Sequence, residues 1–241
     1  MAIYTSKTRI DLEDVGYSNK ITNKAILKIL ENAGARQSET IHFGLNDMEN
    51  VGFSWILLGW KVKILKRPIY NEELTINTWG RDSNRIFTYR DYEIYDESGE
   101  LCAIATSKWA IVDINTGKLR ELTPEIIEKY QCETKKVFEE DYTLKLKEPV
   151  TIIRKQEYKA QRRDIDINKH IHNLYYLDYA YEVLPEEVYE APECNNIDIM
   201  YKKQIRLNDE FKCLYTKEEN QNIVTMKSED ENTLHAIIKL Y

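Results

Sequence analysis

Apolar residues recur at helical spacing in two places along the chain. Ile26, Ile29, Leu30 and Ala33 follow Asn23, and Leu174, Leu177, Tyr181 and Leu184 follow Asn173. This spacing predicts helices over 23–34 and 173–184, each burying one face. Gly34 can end the first, and Pro185 lies just beyond the second. Shorter apolar and β-branched runs follow each helix. The first set covers Phe53–Leu65, Glu73–Thr78, Arg85–Tyr95 and Cys102–Val112, with Asn71 and Ser98-Gly99 marking turns. The second covers Ile197–Leu207, Glu210–Tyr215, Asn222–Lys227 and His235–Leu240. A strand also precedes each helix, near Thr5–Ile10 and Thr151–Tyr158. A short helix from Pro124 to Tyr130 is capped by Thr123, with Pro124 at its first position.

The chain therefore reads as one pattern written twice. DVGYSNKITN (14–23) and DIDINKHIHN (164–173) align without a gap, so Asp14 meets Asp164, Ile21 meets Ile171 and Asn23 meets Asn173. Each half reads strand, helix, then four strands. The expected class is α+β, an antiparallel sheet with one helix packed on a face. The expected domains are 1–130 and 150–241, joined by a linker over 131–149 that carries the charged run 139–141 and the alternating stretch Leu144–Lys147.

The chain is 241 residues long, with 31% charged residues and a mean hydropathy of -0.58, which suits a globular protein with a polar surface. Its longest apolar runs, such as Trp55–Trp60, are too short to span a bilayer. Residues 1–11 already carry Lys7, Arg9 and Asp11 and lack a signal-peptide apolar stretch, so the expected location is the cytoplasm. None of the four cysteines sits in a CxxC pair, which argues for reduced thiols and against structural zinc. A net charge of -7 argues against a general nucleic-acid binder, though a local basic patch can still serve an acidic partner.

The two copies differ where chemistry is possible. Asp166, Asn168 and His170 stand where the first copy has Gly16, Ser18 and Lys20. In an extended segment these alternate residues project to one side and converge. The helix start near Asn173 would add free amides that stabilise an oxyanion. The bland alternative is a polar loop capping a helix, with His170 a satisfied surface side chain. A metal site lacks a third ligand at a diagnostic spacing. His172 would point the other way. His42 and His235 lie in apolar stretches and read as structural.

The stretch 162–173 resembles the DxDxNxHxxN segment of plant and bacterial acyl-acyl carrier protein thioesterases. ThrTrpGly (78–80), ArgAspTyr (90–92), SerLysTrp (107–109), Asp113 and ThrGlyLysLeu (116–119) resemble that family's first-half signatures, in the same order. The resemblance implies a tandem (double) hotdog, each half a curved antiparallel sheet wrapped around a central helix, with catalysis in the second half. It implies hydrolysis of fatty acyl thioesters on acyl carrier protein by Asp166, Asn168 and His170, with water attacking directly and no cofactor. The family often has Glu, followed in plants by Cys, in the strand after the second helix. Here those places hold Gln204 and Ile205, so no cysteine mechanism is available there, and Gln204 can hold a water or an amide but not take a proton.

The acyl chain is expected along the first helix and sheet, with Trp55, Leu57, Trp60 and Trp109 as candidate lining and Asn173 as a substrate contact. Arg162, Arg163, Lys169, Lys202, Lys203 and Arg206 would form a basic rim for the acidic carrier protein if the two segments meet. No membrane span and no nucleic-acid partner are expected, and a homodimer through sheet edges is compatible with the fold. The rival readings are an acyl-CoA thioesterase on the same fold, a hotdog dehydratase, and a non-catalytic acyl-binding module.

Overall fold

The architecture comes from a computed structural model, which describes residues 3–81, 83–140, 145–189 and 194–241. The chain divides into two compact units, Met1–Tyr142 and Thr143–Tyr241. In the first, β1 (Tyr4–Arg9) leads into α1 (Asn23–Thr40), the single turn α2 (Met48–Val51), and then β2 (Phe53–Ile64), β3 (Glu73–Gly80), β4 (Thr88–Tyr95) and β5 (Leu101–Asp113). β6 (Leu119–Arg120) pairs with β5, and α3 (Pro124–Tyr130) follows, its start capped by the Thr123 hydroxyl at 3.4 Å from Ile126 N. The second unit repeats the plan with β7 (Arg154–Lys159), α4 (Tyr175–Val183), β8 (Asn196–Tyr201), β9 (Glu210–Glu218), β10 (Gln221–Ser228) and β11 (Leu234–Leu240).

The strand pairings within each unit are antiparallel. The first sheet runs β1-β3-β4-β5-β2. The second runs β7-β9-β10-β11-β8, the same order with the corresponding strands. A helix packs on each sheet, so each unit is a hotdog and the fold is a tandem of two. Leu27 and Leu30 of α1 are buried with Leu74, Ile76 and Ile94 of the sheet, and Leu177, Ala180 and Val183 of α4 are buried with Ile199, Val224 and Ile238. Each large aliphatic side chain so buried contributes about 1.5–3 kcal/mol. Among the described residues no helix is long and apolar enough to cross a membrane.

The first helix departs from expectation. It does not stop at Gly34 but runs to Thr40. A Cβ at position 34 would lie 3.0 Å from Tyr92 Oη and 3.2 Å from Arg90 Cδ, so the glycine serves close approach of α1 to β4 rather than termination. The last turns of α1 bury polar groups with partners. Gln37 accepts a hydrogen bond from Arg90, and Ser38 shares one of 2.8 Å with Tyr130. The first-half motif residues meet across the sheet, with Gly80 paired to Arg90 and Arg90 to Ser107. Asn71 and Gly99 sit at turns with positive φ of 72° and 83°.

Two strands are shorter than their sequence runs. β4 starts at Thr88, because the Asn84 side chain accepts from Ile86 N and Phe87 N and closes a turn there. β8 ends at Tyr201, and Lys202–Asp209 is a loop, so Gln204 is not a strand residue. Within the expected linker, Lys135 accepts from Trp79 Nε1 at 3.0 Å and Val137 N donates to Asp91 at 3.0 Å, which ties that stretch to the first unit. Lys227 pairs with Glu148 at 2.9 Å in the second unit. Asp141 and Leu144 lie outside the described residues.

Candidate active site

In the second unit, a short 3-10 turn over Arg162–Asp164 precedes a tight hairpin. Buried Asp164 is its anchor. The Asp164 carboxylate accepts from Gln161 N at 2.8 Å and from Tyr179 Oη at 2.5 Å, and its carbonyl accepts from His172 N at 2.8 Å. Ile165 and Ile171 then pair as an antiparallel bridge, with five residues between them forming the turn.

The turn corrects the extended geometry expected from alternation. Asp166 N donates to His170 O at 2.8 Å, Lys169 N donates to Asp166 O at 3.0 Å, and Lys169 adopts a left-handed φ of 64°. Asp166, Asn168 and His170 come together because the backbone folds over, not because a strand alternates. The Asp166 carboxylate holds the fold-over. Its Oδ1 accepts from Asn168 N at 2.8 Å and from His170 N at 3.3 Å, and its Oδ2 accepts from Asn168 Nδ2 at 3.4 Å.

The loop after β8 lies against this hairpin. Ile171 N donates to Ile205 O at 2.8 Å, and His170 bridges to Arg206. Gln204, exposed, therefore neighbours the turn through Ile205, a buried residue. Two tyrosines brace the loop and the helix entry. The Tyr176 hydroxyl faces the Ile205 backbone, and Tyr201 Oη donates to Asn173 O at 3.1 Å, with the Tyr176 and Tyr201 rings edge to face at 5.3 Å. His235 is buried, its Nδ1 2.8 Å from Lys203 O, and anchors the other side of the loop as a structural histidine.

Burial lowers the His170 pKa from its ordinary value of 6.5. Arg206 lowers it further, while Asp166 and Asp209 oppose the shift. The imidazole is accordingly neutral at pH 7, able to accept a proton at one nitrogen and donate from the other. The helix start offers less than expected. Leu174 N is taken by His172 Nδ1 at 3.3 Å, Tyr175 N by His172 O at 2.9 Å, and Tyr176 N by Asn173 O at 3.4 Å. These amides are engaged, so they do not supply the free helix-start donors expected from the sequence.

The remaining candidates fall in several places. Trp60 is fully buried in the first core, 5.3 Å from the Tyr92 ring, and Leu57 is buried. Trp55 packs edge-on to Tyr130 at 5.6 Å, and Trp109 Nε1 donates to Ser107 Oγ at 2.6 Å, both half-buried. Arg162, Arg163, Lys169, Lys202, Lys203 and Arg206 are all exposed on the hairpin and its neighbouring loop. His42 corrects an expectation. It is exposed, at a φ of 60°, with Nδ1 3.8 Å from Asp47, because it follows the end of α1 instead of sitting in an apolar stretch. No group of three metal-ligating side chains occurs among the described residues. Asp164 was legible as the residue shared with Asp14, but Tyr176, Tyr179 and Tyr201 carried no sequence signal beyond apolar periodicity.

Residues 1–130 match the family model for the acyl-ACP thioesterase N-terminal domain, and residues 147–239 match the C-terminal domain. The chain is 25% identical over 238 residues to oleoyl-acyl carrier protein thioesterase 2, chloroplastic, of Arabidopsis thaliana, covering 92% of this chain and 65% of the relative. It is 25% identical over 244 residues to the oleoyl-acyl carrier protein thioesterase, chloroplastic, of Coriandrum sativum, covering 93% and 65%. The chain thus spans just under two thirds of the length of these plant relatives. Among solved structures, an acyl-ACP thioesterase from Bacteroides thetaiotaomicron superposes with a TM-score of 0.86 at 22% identity, covering 99% of this chain and 97% of that one. The 12:0-ACP thioesterase from Umbellularia californica superposes at 0.87 and 15% identity, covering 100% and 96%. At such identities the structures establish the fold.

Proposed function

The chain belongs to the acyl-ACP thioesterase family, and from that premise we propose that it hydrolyses fatty acyl thioesters carried on acyl carrier protein, releasing the free fatty acid during fatty acid synthesis. The observation that carries the reading is the Asp166 turn, which holds Asn168 beside a neutral His170 in the second unit only.

In this reading water adds to the thioester carbonyl while His170 takes its proton. Asn168 and Asn173 donate to the carbonyl oxygen as it becomes an oxyanion. The tetrahedral intermediate collapses, the C–S bond breaks, and the proton passes from His170 to the departing sulfur. Asp166 is a poor candidate for the base. Its Oδ1 already accepts two backbone N–H groups, so it organises the turn and stabilises the imidazolium that forms. General base assistance is worth about 10²- to 10⁴-fold and one oxyanion donor about 10²- to 10³-fold. Gln204 would hold the water by hydrogen bonds, and Gln204→Glu is expected to raise turnover by adding a second acceptor near the attacking water. The reaction is proposed to run in the cytoplasm, whereas the plant relatives are chloroplastic by name. Trp55, Trp60 and Trp109 are proposed to bound the acyl chain.

The test is free thiol release from a panel of acyl-acyl carrier proteins. Wild type is expected to turn over, with His170→Ala and Asp166→Asn reduced about 10²-fold or more while remaining folded. Gln204 in place of an acid supports one second reading, a non-catalytic acyl-binding module. Absence of thiol release from every chain, with a bound acyl group recovered on the folded protein, would select it.

A further inference from the structure

The hairpin of the second unit presents a surface that the proposed chemistry does not use. Ile167 stands at the tip of the turn with 67% of its surface exposed, one position from Asp166 and one from Asn168. Leu207, 39% exposed, follows Arg206 on the neighbouring loop, and the pairing of His170 with Arg206 holds the two segments side by side. The same two paired segments carry Arg162, Lys169, Lys202, Lys203 and Arg206, all exposed. None of the five has a carboxylate within ion-pair distance among the described residues, whereas Arg163 is engaged by Asp164 at 3.6 Å. Set against the exposed Asp209 of the same loop, five cations on the hairpin and its paired loop leave a local excess of positive charge on a chain of net charge -7.

The first unit supplies an internal control. Its hairpin and loop have the same backbone pairing, Val15 with Ile21 and Lys20 with Ile69. The positions of the five cations are there held by Leu12, Asn19, Leu65, Lys66 and Ile69. Of these only Lys66 is charged, and it is engaged by Asp96 at 2.6 Å and by Glu100 at 2.5 Å. Tyr17, at the tip, replaces Ile167. The first hairpin and loop also carry Lys20 and Arg67, the latter engaged by Ile21 O and Asn23 Oδ1, so the same fold is built with fewer cations at the matching positions.

We propose that this face of the second unit docks an acidic carrier protein, with Ile167 and Leu207 as the apolar centre and the five cations as a rim that meets the partner's carboxylates. An acidic partner fits because the rim cations are free to pair, and apolar residues at the centre lose water on contact while rim charges mainly steer encounter. Because the first unit lacks the rim, each chain takes one carrier. The proposal rests on the reading that the substrate is carried on such a protein, and it goes beyond that reading by assigning the docking face.

Two substrates separate the failures. One is the acyl-acyl carrier protein, and the other is acyl-pantetheine, the same thioester without the protein. The quantity read is the ratio of kcat/KM for the first to kcat/KM for the second. Ile167→Asp, and separately the double change Lys202→Glu with Lys203→Glu, are expected to lower that ratio about tenfold or more. Raised salt is expected to lower the ratio in wild type but much less in the double variant. Tyr17→Asp, at the matching tip of the first unit, is expected to leave it as in wild type. Calorimetric titration with the unacylated carrier is expected to show one site per chain, weakened in both variants. An unaltered ratio with unaltered carrier affinity would overturn the docking face while leaving hydrolysis intact. A wild type that hydrolyses neither substrate would overturn the hydrolase reading, and the titration would still decide the docking face.

Discussion

The two hairpins of this chain are built alike almost atom for atom and hold different chemistry. Gly16 N donates to Lys20 O at 3.0 Å where Asp166 N donates to His170 O at 2.8 Å. Thr22 N reaches Asp14 O at 2.9 Å where His172 N reaches Asp164 O at 2.8 Å. Ile21 N donates to Pro68 O at 2.9 Å, and Ile171 N to Ile205 O at 2.8 Å. Asn19 and Lys169 take the same left-handed conformation, with φ of 59° and 64°. In the first unit, Arg67 closes the space beside the hairpin, donating to Ile21 O at 2.8 Å and to Asn23 Oδ1 at 2.6 Å. The matching residue in the second unit is Gln204, which is exposed and makes no hydrogen bond to the Asn173 side chain among the described residues. The comparison teaches that the turn needs only a buried aspartate, one left-handed residue and a loop to pair with. Every residue proposed for catalysis is surplus to that requirement, so one copy could keep the shape and close the site with a guanidinium.

Exchanging the two closing residues is the strongest way to break this comparison. Gln204→Arg would carry a guanidinium to Ile171 O and Asn173, as Arg67 does in the first hairpin. Turnover is expected to fall about 10²-fold, the scale of losing one oxyanion donor, with thermal stability kept or raised. The reciprocal Arg67→Gln removes the two guanidinium hydrogen bonds to Ile21 O and Asn23 Oδ1 and is expected to cost about 1–3 kcal/mol in denaturant unfolding, with turnover within about twofold of wild type. If Gln204→Arg kept full turnover, Asn173 and the space around it would have no part in the reaction.

Much of this was legible in the residues themselves, for physical reasons that differ from place to place. Strand and helix periodicity marked both sheets and both helices, because each element buries one face. The Asp14–Asp164 identity survives because the carboxylate is needed by the turn in both copies, accepting from Asp11 N at 3.1 Å in one and Gln161 N at 2.8 Å in the other. The turn itself was hidden. Polar residues at 166, 168 and 170 read as a strand face, and nothing about a lysine announces a positive φ at 169. Gly34 misled because a glycine in a helical pattern signals an end unless the partner strand that needs its small size is known. Gln204 was placed on a strand because apolar residues continue to Leu207, and only the hydrogen bond from Lys202 N to His235 O, at 2.8 Å, shows where pairing gives way to the loop.

The tyrosine brace gives an intermediate effect. Ile26 and Ile64 of the first unit stand where the second has Tyr176 and Tyr201, and Pro68 stands where it has Ile205. The proline has no N–H, whereas the Ile205 N–H faces the Tyr176 hydroxyl. Tyr176→Phe keeps the ring and removes that partner. A stability loss of about 1 kcal/mol is expected. If the hydroxyl positions Gln204, kcat should also fall about tenfold while KM for acyl-pantetheine holds. A stability loss with kcat intact would make the brace purely structural. Placing Ile at position 176, as in the first unit, should lower kcat at least as far as Phe does.

The smallest effect concerns the proton. Lys20 occupies the place of His170 in the first hairpin, so of the two aligned hairpins the second carries an imidazole at this position. Burial and Arg206 favour the neutral imidazole, and Asp166 and Asp209 favour the charged one. A base works when unprotonated, so kcat/KM for acyl-pantetheine should rise with pH and reach half its plateau below pH 6.5. Removing the cation in Arg206→Ala takes away a contribution that lowers the pKa, so the acid limb should move toward higher pH while the plateau rate changes little. Asp166→Asn removes a contribution that raises it, and any residual activity should show the limb displaced toward lower pH. Opposite displacements in the two variants would identify the titrating group as His170. A limb that ignored both would mean that the proton is held outside the hairpin, and the difference between the two copies would then lie in binding rather than in base catalysis.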